Sequence, residues 1–567
     1  EDLIMEQMTA MVREQDPDII TGYNIDNFDF PRLVERMDHH TSRKQWQARS
    51  NLLGWGRTPH LETECKRTRT GVLPRRQSNR AWNLAGRAIV DAWWQARQAL
   101  RPQRETLSFI ARLLFPEDDD KQKIDIDASN MDEEWANRPD EVMEYCVRDA
   151  ALPLDILHSI QAIRRKEAVA SVAKVPFETA ANGSTSQLLD SLVIRLADRK
   201  NVAVPLTGSA EAKEGQITGG YVHDVEAGLH PWIAVLDFKS MYPSIMIGNN
   251  VCYTTRIDPS HPEQPAEADP THVSPTEAVF WSAEHRKGLV PTLLEDLMNQ
   301  RDEHKAQIKL ARKNAVKIMM NSFYGVFASG FYRFTHKDLG SSITAWARQN
   351  IKTIIQKLED EGHHVVYSDT DSIFVCSPVP EGSPSVLKED DDEATIAAYE
   401  GAKQAMIDFG LDIAKQYSRD SAVLEYEKGL SVFFSHGAKK RYVGQVVYPS
   451  EEMLIRGYET QRTDSFEYLT TSMKKTFTYA LADEGEALVQ HARECVASLK
   501  NHSVDARRLI LAKSCKGRVQ SNGEVDFTKD YARPESMAQV RAAMILIDRG
   551  LGFTPGMKIS YVVTDAS

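Results

Sequence analysis

The sequence predicts a multidomain protein of mixed α/β and α+β class, on three observations. The chain has 567 residues, too many for one hydrophobic core, so three or more domains are expected. Short apolar runs of strand length alternate with stretches of helical periodicity along its length. One stretch carries both patterns in succession: Ile343, Trp346, Ala347, Ile351, Ile354 and Leu358 form a helical stripe that Gly362 is placed to end. Directly after it, Val365-Val366-Tyr367 and Ile373-Phe374-Val375 read as two strands joined by Ser368-Asp369-Thr370-Asp371-Ser372.

Composition narrows the class. Hydrophobic residues make up 42% and charged residues 26%, as in ordinary globular proteins. No run of about 18 apolar residues occurs, so no membrane span is expected. The six cysteines show no CxxC pair, which argues against zinc or a disulfide framework and for a reducing cytosol. Net charge is −12, which as an average speaks against nucleic acid. DNA responds to local potential, however, and the acids are concentrated at Glu117–Asp120 and Glu389–Glu393. The second run follows Pro378, Pro380, Gly382 and Pro384 and reads as a solvated loop. Basic residues gather at Lys439-Lys440-Arg441 and at Arg301, Lys305, Lys309, Arg312, Lys313 and Lys317. The sequence opens on Glu1 without an initiator Met or signal peptide, so it is expected to begin inside a domain.

In chain order, residues 1–15 read as the end of an amphipathic helix and Asp18–Gly22 as a short strand. Residues 86–115 show helical periodicity, and Asp140–Leu157 reads as a helix with a kink or break at Pro153. A single helix is expected from Pro176 to Asp198. Trp232–Leu236 is an apolar run suited to a buried strand, ending at Asp237. Leu293 to Gly325 has no Gly or Pro turn, and periodicity draws it as one long helix.

The chemistry lies in the carboxylates. An isolated Asp-Thr-Asp is good turn sequence and nothing more. Here two apolar strands aim it at a fixed point. Asp237 ends a buried strand, where a carboxylate is costly unless paired or bound to metal. If Asp237 meets Asp369 and Asp371, their repulsion calls for cations, and two Mg²⁺ ions suit oxygen ligands and an in-line displacement. Lys317, Asn321 and Tyr324 share one helix face, beside an apolar face of Val316, Met320 and Phe323. That basic face reads either as a solvated surface or as the counter-charge for a triphosphate.

Five segments then carry a resemblance, in the family's order. Asp237-Phe238-Lys239-Ser240-Met241-Tyr242-Pro243-Ser244-Ile245 resembles motif A of the B-family (alpha-type) DNA polymerases. Lys317–Gly325 resembles motif B, and Tyr367–Ser372 resembles motif C. Lys439-Lys440-Arg441-Tyr442 resembles the motif that grips the primer-template duplex, and Gly219-Gly220-Tyr221-Val222 the loop between the exonuclease and polymerase parts. The resemblance implies that Asp237 and Asp371 are the main ligands of two Mg²⁺ ions, with Asp369 beside them. It implies that Arg301, Lys305 and Lys317 hold the triphosphate of a dNTP, that Asn321 and Tyr324 line the nucleotide pocket, and that Tyr242 is the steric gate against a ribose 2′-OH. Tyr242 also reads as a packed aromatic, and both can hold together. Glu425 and Glu427 resemble an acidic pair near the metals. Gly220, Tyr221, Lys439, Lys440, Arg441, Tyr442 and Arg462 are implied DNA contacts.

Gly22–Pro31 resembles the second motif of the family's 3′–5′ exonuclease, with Asp29 a metal ligand. Tyr145-Cys146-Val147-Arg148-Asp149 resembles the third, with Tyr145 orienting water and Asp149 binding metal. The first motif, a DxE, has no match among the 28 residues before Asp29, and thumb sequence stops early at Ser567. The resemblance therefore implies truncation at both ends, with exonuclease activity lost and synthesis weak. The short fingers resemble bacterial DNA polymerase II, while other segments look archaeal.

The implied architecture is a partial ribonuclease-H-like exonuclease domain (1–165), a connecting region (166–231), palm (232–284 and 327–445), fingers (285–326) and a partial thumb (446–567) of a right-hand polymerase. The expected reaction is DNA-directed addition of dNTPs to a primer 3′-OH. The rival readings are an inactive polymerase-fold scaffold and a 3′–5′ exonuclease. Expected partners are primer-template DNA, dNTPs and a sliding clamp reached through sequence beyond the C-terminus, in a prokaryotic cytoplasm at the nucleoid.

Overall fold

The apolar run ending at Asp237 becomes, in the computed structural model, an eleven-residue strand, Gly228–Phe238. The structure describes every residue except 43, 59–65, 69–80, 125, 128–129, 207–216, 261–263, 267, 307–309, 329–331, 420–421, 463, 521–522, 551–552, 554 and 565–567. The chain divides into two compact units. One comprises Glu1–Leu188, Thr463–Phe466 and Leu509–Ser567, and the other Leu189–Arg462 and Glu467–Arg508. The residues expected as a partial thumb are thus shared between the two units.

The second unit is built on a six-stranded antiparallel sheet in the order Glu452–Arg456, Tyr442–Tyr448, Leu424–Ser435, Gly228–Phe238, Ser372–Cys376, Val365–Asp369. Strand alternation sorts its side chains onto two faces. Ile233 and Val235 pack with Tyr367, Phe374 and Phe433 on one, and Trp232 packs with Tyr399 and Met406 on the other. Tyr399 and Met406 come from the helix Glu393–Tyr417, whose N-terminus is capped by the Asp392 side chain, 2.8 Å from the Thr395 amide. The acidic run is therefore both a solvated loop and a helix start.

The helical stripe from Ile343 to Leu358 is buried in the helix Lys337–Asp360. Gly362 ends it at φ 85°, with its own amide bonded to the Glu359 carbonyl and the His363 amide to that of Leu358. The expected long helix over Leu293–Gly325 is instead two, Leu289–Ala306 and Leu310–Phe327, packed against each other. Residues 307–309 lie outside the described residues. Folding back lets Val316, Met319, Met320 and Phe323 be buried, which one extended rod would leave in water.

In the first unit, Ile19–Gly22 pairs in parallel with Ala88–Asp91. The latter strand lies within the span expected to be helical. Ile89 and Val90 are fully buried there, and the helices Ala92–Leu100 and Leu107–Leu114 begin only afterwards. The helix Pro139–Ser159 continues through Pro153, which is buried within it, rather than breaking there. The expected single helix over 176–198 is two, Phe177–Asn182 and Thr185–Arg199. Ser184 and Gln187 form a reciprocal box between them: the Gln187 amide donates to Ser184 Oγ at 3.3 Å and the Ser184 amide to Gln187 Oε1 at 2.8 Å.

One glycine is fixed by contact. Gly457 follows the edge strand at φ 71°, and a Cβ there would lie 1.8 Å from the Lys440 carbonyl oxygen. Gly382 has a similar φ of 78° but open space within 4 Å. Gly457→Ala is expected to cost about 1–3 kcal/mol more than Gly382→Ala, because it adds a backbone clash to the shared left-handed strain. Urea unfolding of the two variants compares them directly.

Candidate active site

Three stretches of sequence converge at one end of the six-stranded sheet. Asp237 is paired with Ser372 on one side and with Glu425 on the other. The Phe238 amide donates to the Asp371 carbonyl at 2.9 Å, and Ser372 Oγ donates to Asp237 Oδ2 at 3.0 Å. The hairpin turn is made by Thr370 at φ 62°, whose amide donates to the Tyr221 carbonyl at 2.9 Å. Gly220 lies against this turn: a Cβ there would meet Thr370 Cγ2 at 2.9 Å. The loop 219–222 is in turn held by Arg348, which donates to the carbonyls of Thr218 and Gly219 at 2.9 and 2.8 Å, and by Lys352 over the Tyr221 ring at 5.0 Å.

The electrostatics of the cluster are unfavourable for charge. Burial, then the Asp371 carboxylate, push Asp237 up to about 7. Glu427 and Glu425 contribute to that rise, and the Ser372 hydroxyl opposes it. Asp371 is raised by burial, with Asp369 and Glu427 adding to it. Asp369 instead pairs with Lys440, whose ammonium lies 2.8 Å from Oδ1. Among the described residues no group of three His, Cys, Asp or Glu is placed to hold a metal ion. The donor set nevertheless suits a hard divalent cation. Asp237 and Asp371 are hard oxygen donors whose proton affinities are both raised, that of Asp237 partly by Asp371, and a cation between them would relieve that.

Beside the carboxylates the Tyr242 and Tyr324 rings stack, with centroids 4.4 Å apart and planes 28° from parallel. Burial pushes the Tyr242 phenol up to about 12, with Tyr324 and Asp371 adding to the effect. Arg301 donates to Ser240 Oγ at 3.0 Å. Lys317 and Asn321 are exposed on the helix that carries Tyr324. Lys305 lies in the helix Leu289–Ala306, and its side chain lies outside the described residues. Lys439 donates to the Val222 carbonyl and pairs with Asp224 at 2.8 Å. Arg441 pairs with Glu459 at 3.4 Å, and Tyr442 packs in the ring cluster of Tyr367, Phe374 and Phe433. Arg462 is exposed just after the turn Glu459–Gln461.

The first unit holds a separate cleft of about 990 Å³. Asp29, Tyr145 and Asp149 all line it, although 116 residues of sequence separate the first two (145 − 29). Burial raises the Asp29 carboxyl above its ordinary value. Lys123 pairs with Asp149 Oδ2 at 2.9 Å and lies 4.7 Å from the Tyr145 ring centre. Asp149 Oδ1 is buried with no hydrogen-bond partner among the described residues. Buried Asp91 shapes the approach to Asp29, accepting from the amides of Asn24 at 3.0 Å and Trp93 at 2.9 Å. Sequence reasoning missed Lys123, Asp91 and Arg348. Asp91 had a local signal, an acid capping the helix Ala92–Leu100, but its hold on Asn24 is tertiary.

The model of DNA polymerase family B matches residues 175–529, well over half of the chain. The chain belongs to DNA polymerase family B. The exonuclease-domain model of the same family matches residues 1–109 of this family B chain, which include Asp29 but not Tyr145 or Asp149. The DNA polymerase delta catalytic subunit of Drosophila melanogaster is 26% identical over 605 residues, covering 100% of this chain and 51% of that protein. That of Caenorhabditis elegans is 26% identical over 610 residues, covering 100% and 52%. The family B chain thus spans about half the length of these relatives. Among solved structures, the family B DNA polymerase from the hyperthermophilic archaeon Pyrobaculum calidifontis aligns with TM-score 0.62 at 22% identity, covering 100% of this chain and 67% of that one. The fold is that of a family B polymerase preceded by an exonuclease domain. No helix of the described residues is long and apolar enough to cross a membrane.

The raised Asp237 predicts a pH signature for the metal-free protein. Its pKa rises from 3.8 unfolded to about 7 folded. Below the unfolded value the group costs nothing. As pH rises toward 7 the folded form retains a proton that the unfolded form has released, so stability falls until the folded group also ionises. In EDTA, Asp237→Asn should therefore flatten the loss of thermal stability between about pH 4 and 7, by roughly 1–3 kcal/mol after allowing for the water that reaches the group. Thermal unfolding of parent and variant across that range checks it.

Proposed function

We propose that the chain is the catalytic part of a DNA-directed DNA polymerase, joining a dNTP to a primer 3′-OH with release of pyrophosphate. The observation that carries this is the pair of half-buried carboxylates Asp237 and Asp371, both with raised proton affinity, beside the Tyr242–Tyr324 stack. Asp237 and Asp371, with Asp369 adjacent, would hold two Mg²⁺ ions, which supply charge stabilisation for the attacking and leaving oxygens of the displacement. Ser372 orients Asp237 for this, and the Tyr221 carbonyl fixes the turn that carries Asp371.

Arg301, Lys305 and Lys317 neutralise the triphosphate, whose negative charge is the main obstacle to bringing the primer oxygen near. Asn321 and Tyr324 line the nucleotide pocket. Tyr242, braced by Tyr324, fills the space a ribose 2′-OH would need. Gly220, Tyr221, Lys439, Lys440, Arg441, Tyr442 and Arg462 contact primer-template DNA through its backbone, with little sequence preference. Glu425 and Glu427 add to the field at the metals. In the first unit, Asp29, Tyr145 and Asp149 are the part of a 3′–5′ exonuclease set that this sequence carries, without the DxE that hydrolysis needs, and the shared cleft speaks for that grouping. A sliding clamp and a cytoplasmic site of action at the nucleoid complete the proposal. The inactive-scaffold alternative requires loss of a palm carboxylate, and Asp237, Asp369 and Asp371 are all present.

Asp371→Ala should lower nucleotide incorporation by about a thousandfold or more while leaving duplex binding within a few-fold. Single-turnover primer extension and DNA-binding titrations measure the two separately, and undiminished extension would sink the assignment. Tyr242→Ala should admit ribonucleotides, because it opens space beside the sugar without touching a carboxylate. Competing dNTP and rNTP incorporation reads this out, and unchanged discrimination would make Tyr242 a packing residue.

A further inference from the structure

The cleft that holds Asp29, Tyr145 and Asp149 has one wall from the far end of the chain. Met557, Lys558 and Ser560, at and beside the strand Lys558–Tyr561, line it. Lys558 turns away from solvent, with 9% of its side chain exposed. Its ammonium donates to the carbonyls of Pro102 and Gln103 and lies 3.9 Å from Glu105 Oε1. Glu105 is equally buried at 7% and is bound on its other oxygen by Arg97 at 3.1 Å. The same Glu105 accepts, at its backbone carbonyl, a 2.7 Å hydrogen bond from the Tyr23 hydroxyl. Tyr23 belongs to the segment that runs from the strand Ile19–Gly22 to Asp29.

A surface ion pair would be a weak tie. This one is buried: without the Lys558 ammonium, the Pro102 and Gln103 carbonyls lose their charged donor and Glu105 keeps Arg97 alone as its cation, a larger loss than breaking a solvated pair. The contact also joins positions more than 450 residues apart in sequence, so no local element substitutes for it.

We propose that Lys558 is a positioning residue that pins its strand as a fixed wall of the Asp29–Tyr145–Asp149 cleft and, through Glu105 and Tyr23, steadies the segment carrying Asp29. The single-stranded 3′ end of a DNA primer would pass along this wall. This last point rests on the exonuclease reading, whereas the pinning does not.

The test compares the 567-residue chain with Lys558→Met, which keeps the bulk and removes the charge, and Lys558→Arg, which keeps the charge. Amide hydrogen exchange should rise about tenfold or more in Lys558→Met, both at 555–561 and at 22–29, and stay near parent in Lys558→Arg. An oligothymidylate with a 3′-terminal 4-thiothymidine should photo-crosslink in the parent to 557–560, and about tenfold less in Lys558→Met. Unchanged exchange at 555–561 would overturn the anchor. Raised exchange there alone, with 22–29 unmoved, would overturn the coupling to Asp29. If exchange behaves as expected but the parent never crosslinks within the cleft, the exonuclease reading fails and the anchor stands.

Discussion

The strand Gly228–Phe238 is hydrogen-bonded along both edges, to Ser372–Cys376 and to Leu424–Ser435, and that double pairing brings three distant stretches of sequence to one point. The register does the placing. With Asp237 opposite Ser372 and Glu425, the next residue on the hairpin is Asp371, and Phe238 is bonded to its carbonyl. A shift of one residue would send Asp237 to the opposite face of the sheet, among the contacts of the helix Glu393–Tyr417. The apolar face of Ile233, Val235, Phe374 and Phe433 resists such a shift, because it would turn the whole set out of the core.

The same packing makes the site electrostatically tense. Burial raises the proton affinity of Asp237 and Asp371, and two glutamates from the neighbouring strand add to it. Asp369 pairs with Lys440. Such a cluster lowers stability when its members are charged, and a cation between the strands would relieve it. The first unit repeats the logic on a smaller scale, where Lys123 answers one oxygen of Asp149 and leaves the other unpartnered among the described residues.

What could be read from sequence was local or motif-borne. The strand before Asp237, the Asp369–Asp371 turn, the stripe from Ile343 to Leu358 and its stop at Gly362 all follow from periodicity and turn chemistry. The breaks were harder. Ser184 and Gln187 carry a capping box in plain view, yet the leucine stripe across it reads as one helix. The helices Leu289–Ala306 and Leu310–Phe327 separate without a Gly or Pro, because tertiary burial of Met319 and Phe323 outweighs local continuity. The strand Ala88–Asp91 is only four residues long, too short for periodicity to distinguish from the helix that follows. Partners such as Asp91 with Asn24, Arg348 with Gly219, or Lys558 with Glu105 are set by the fold, and no spacing in the sequence announces them.

The Tyr242–Tyr324 stack joins two elements with different roots. Tyr242 stands on the short helix Met241–Gly248, continuous with the central strand, while Tyr324 rides on the helix Leu310–Phe327. On the steric-gate reading, sugar selection is then a property of a moment rather than of a residue. Tyr242 has its partner ring on one face, so a displacement of that helix would remove this contact and loosen the filter. Discrimination would be sharpest at the end of each approach, and a slower helix would lengthen the interval in which the wrong sugar can settle.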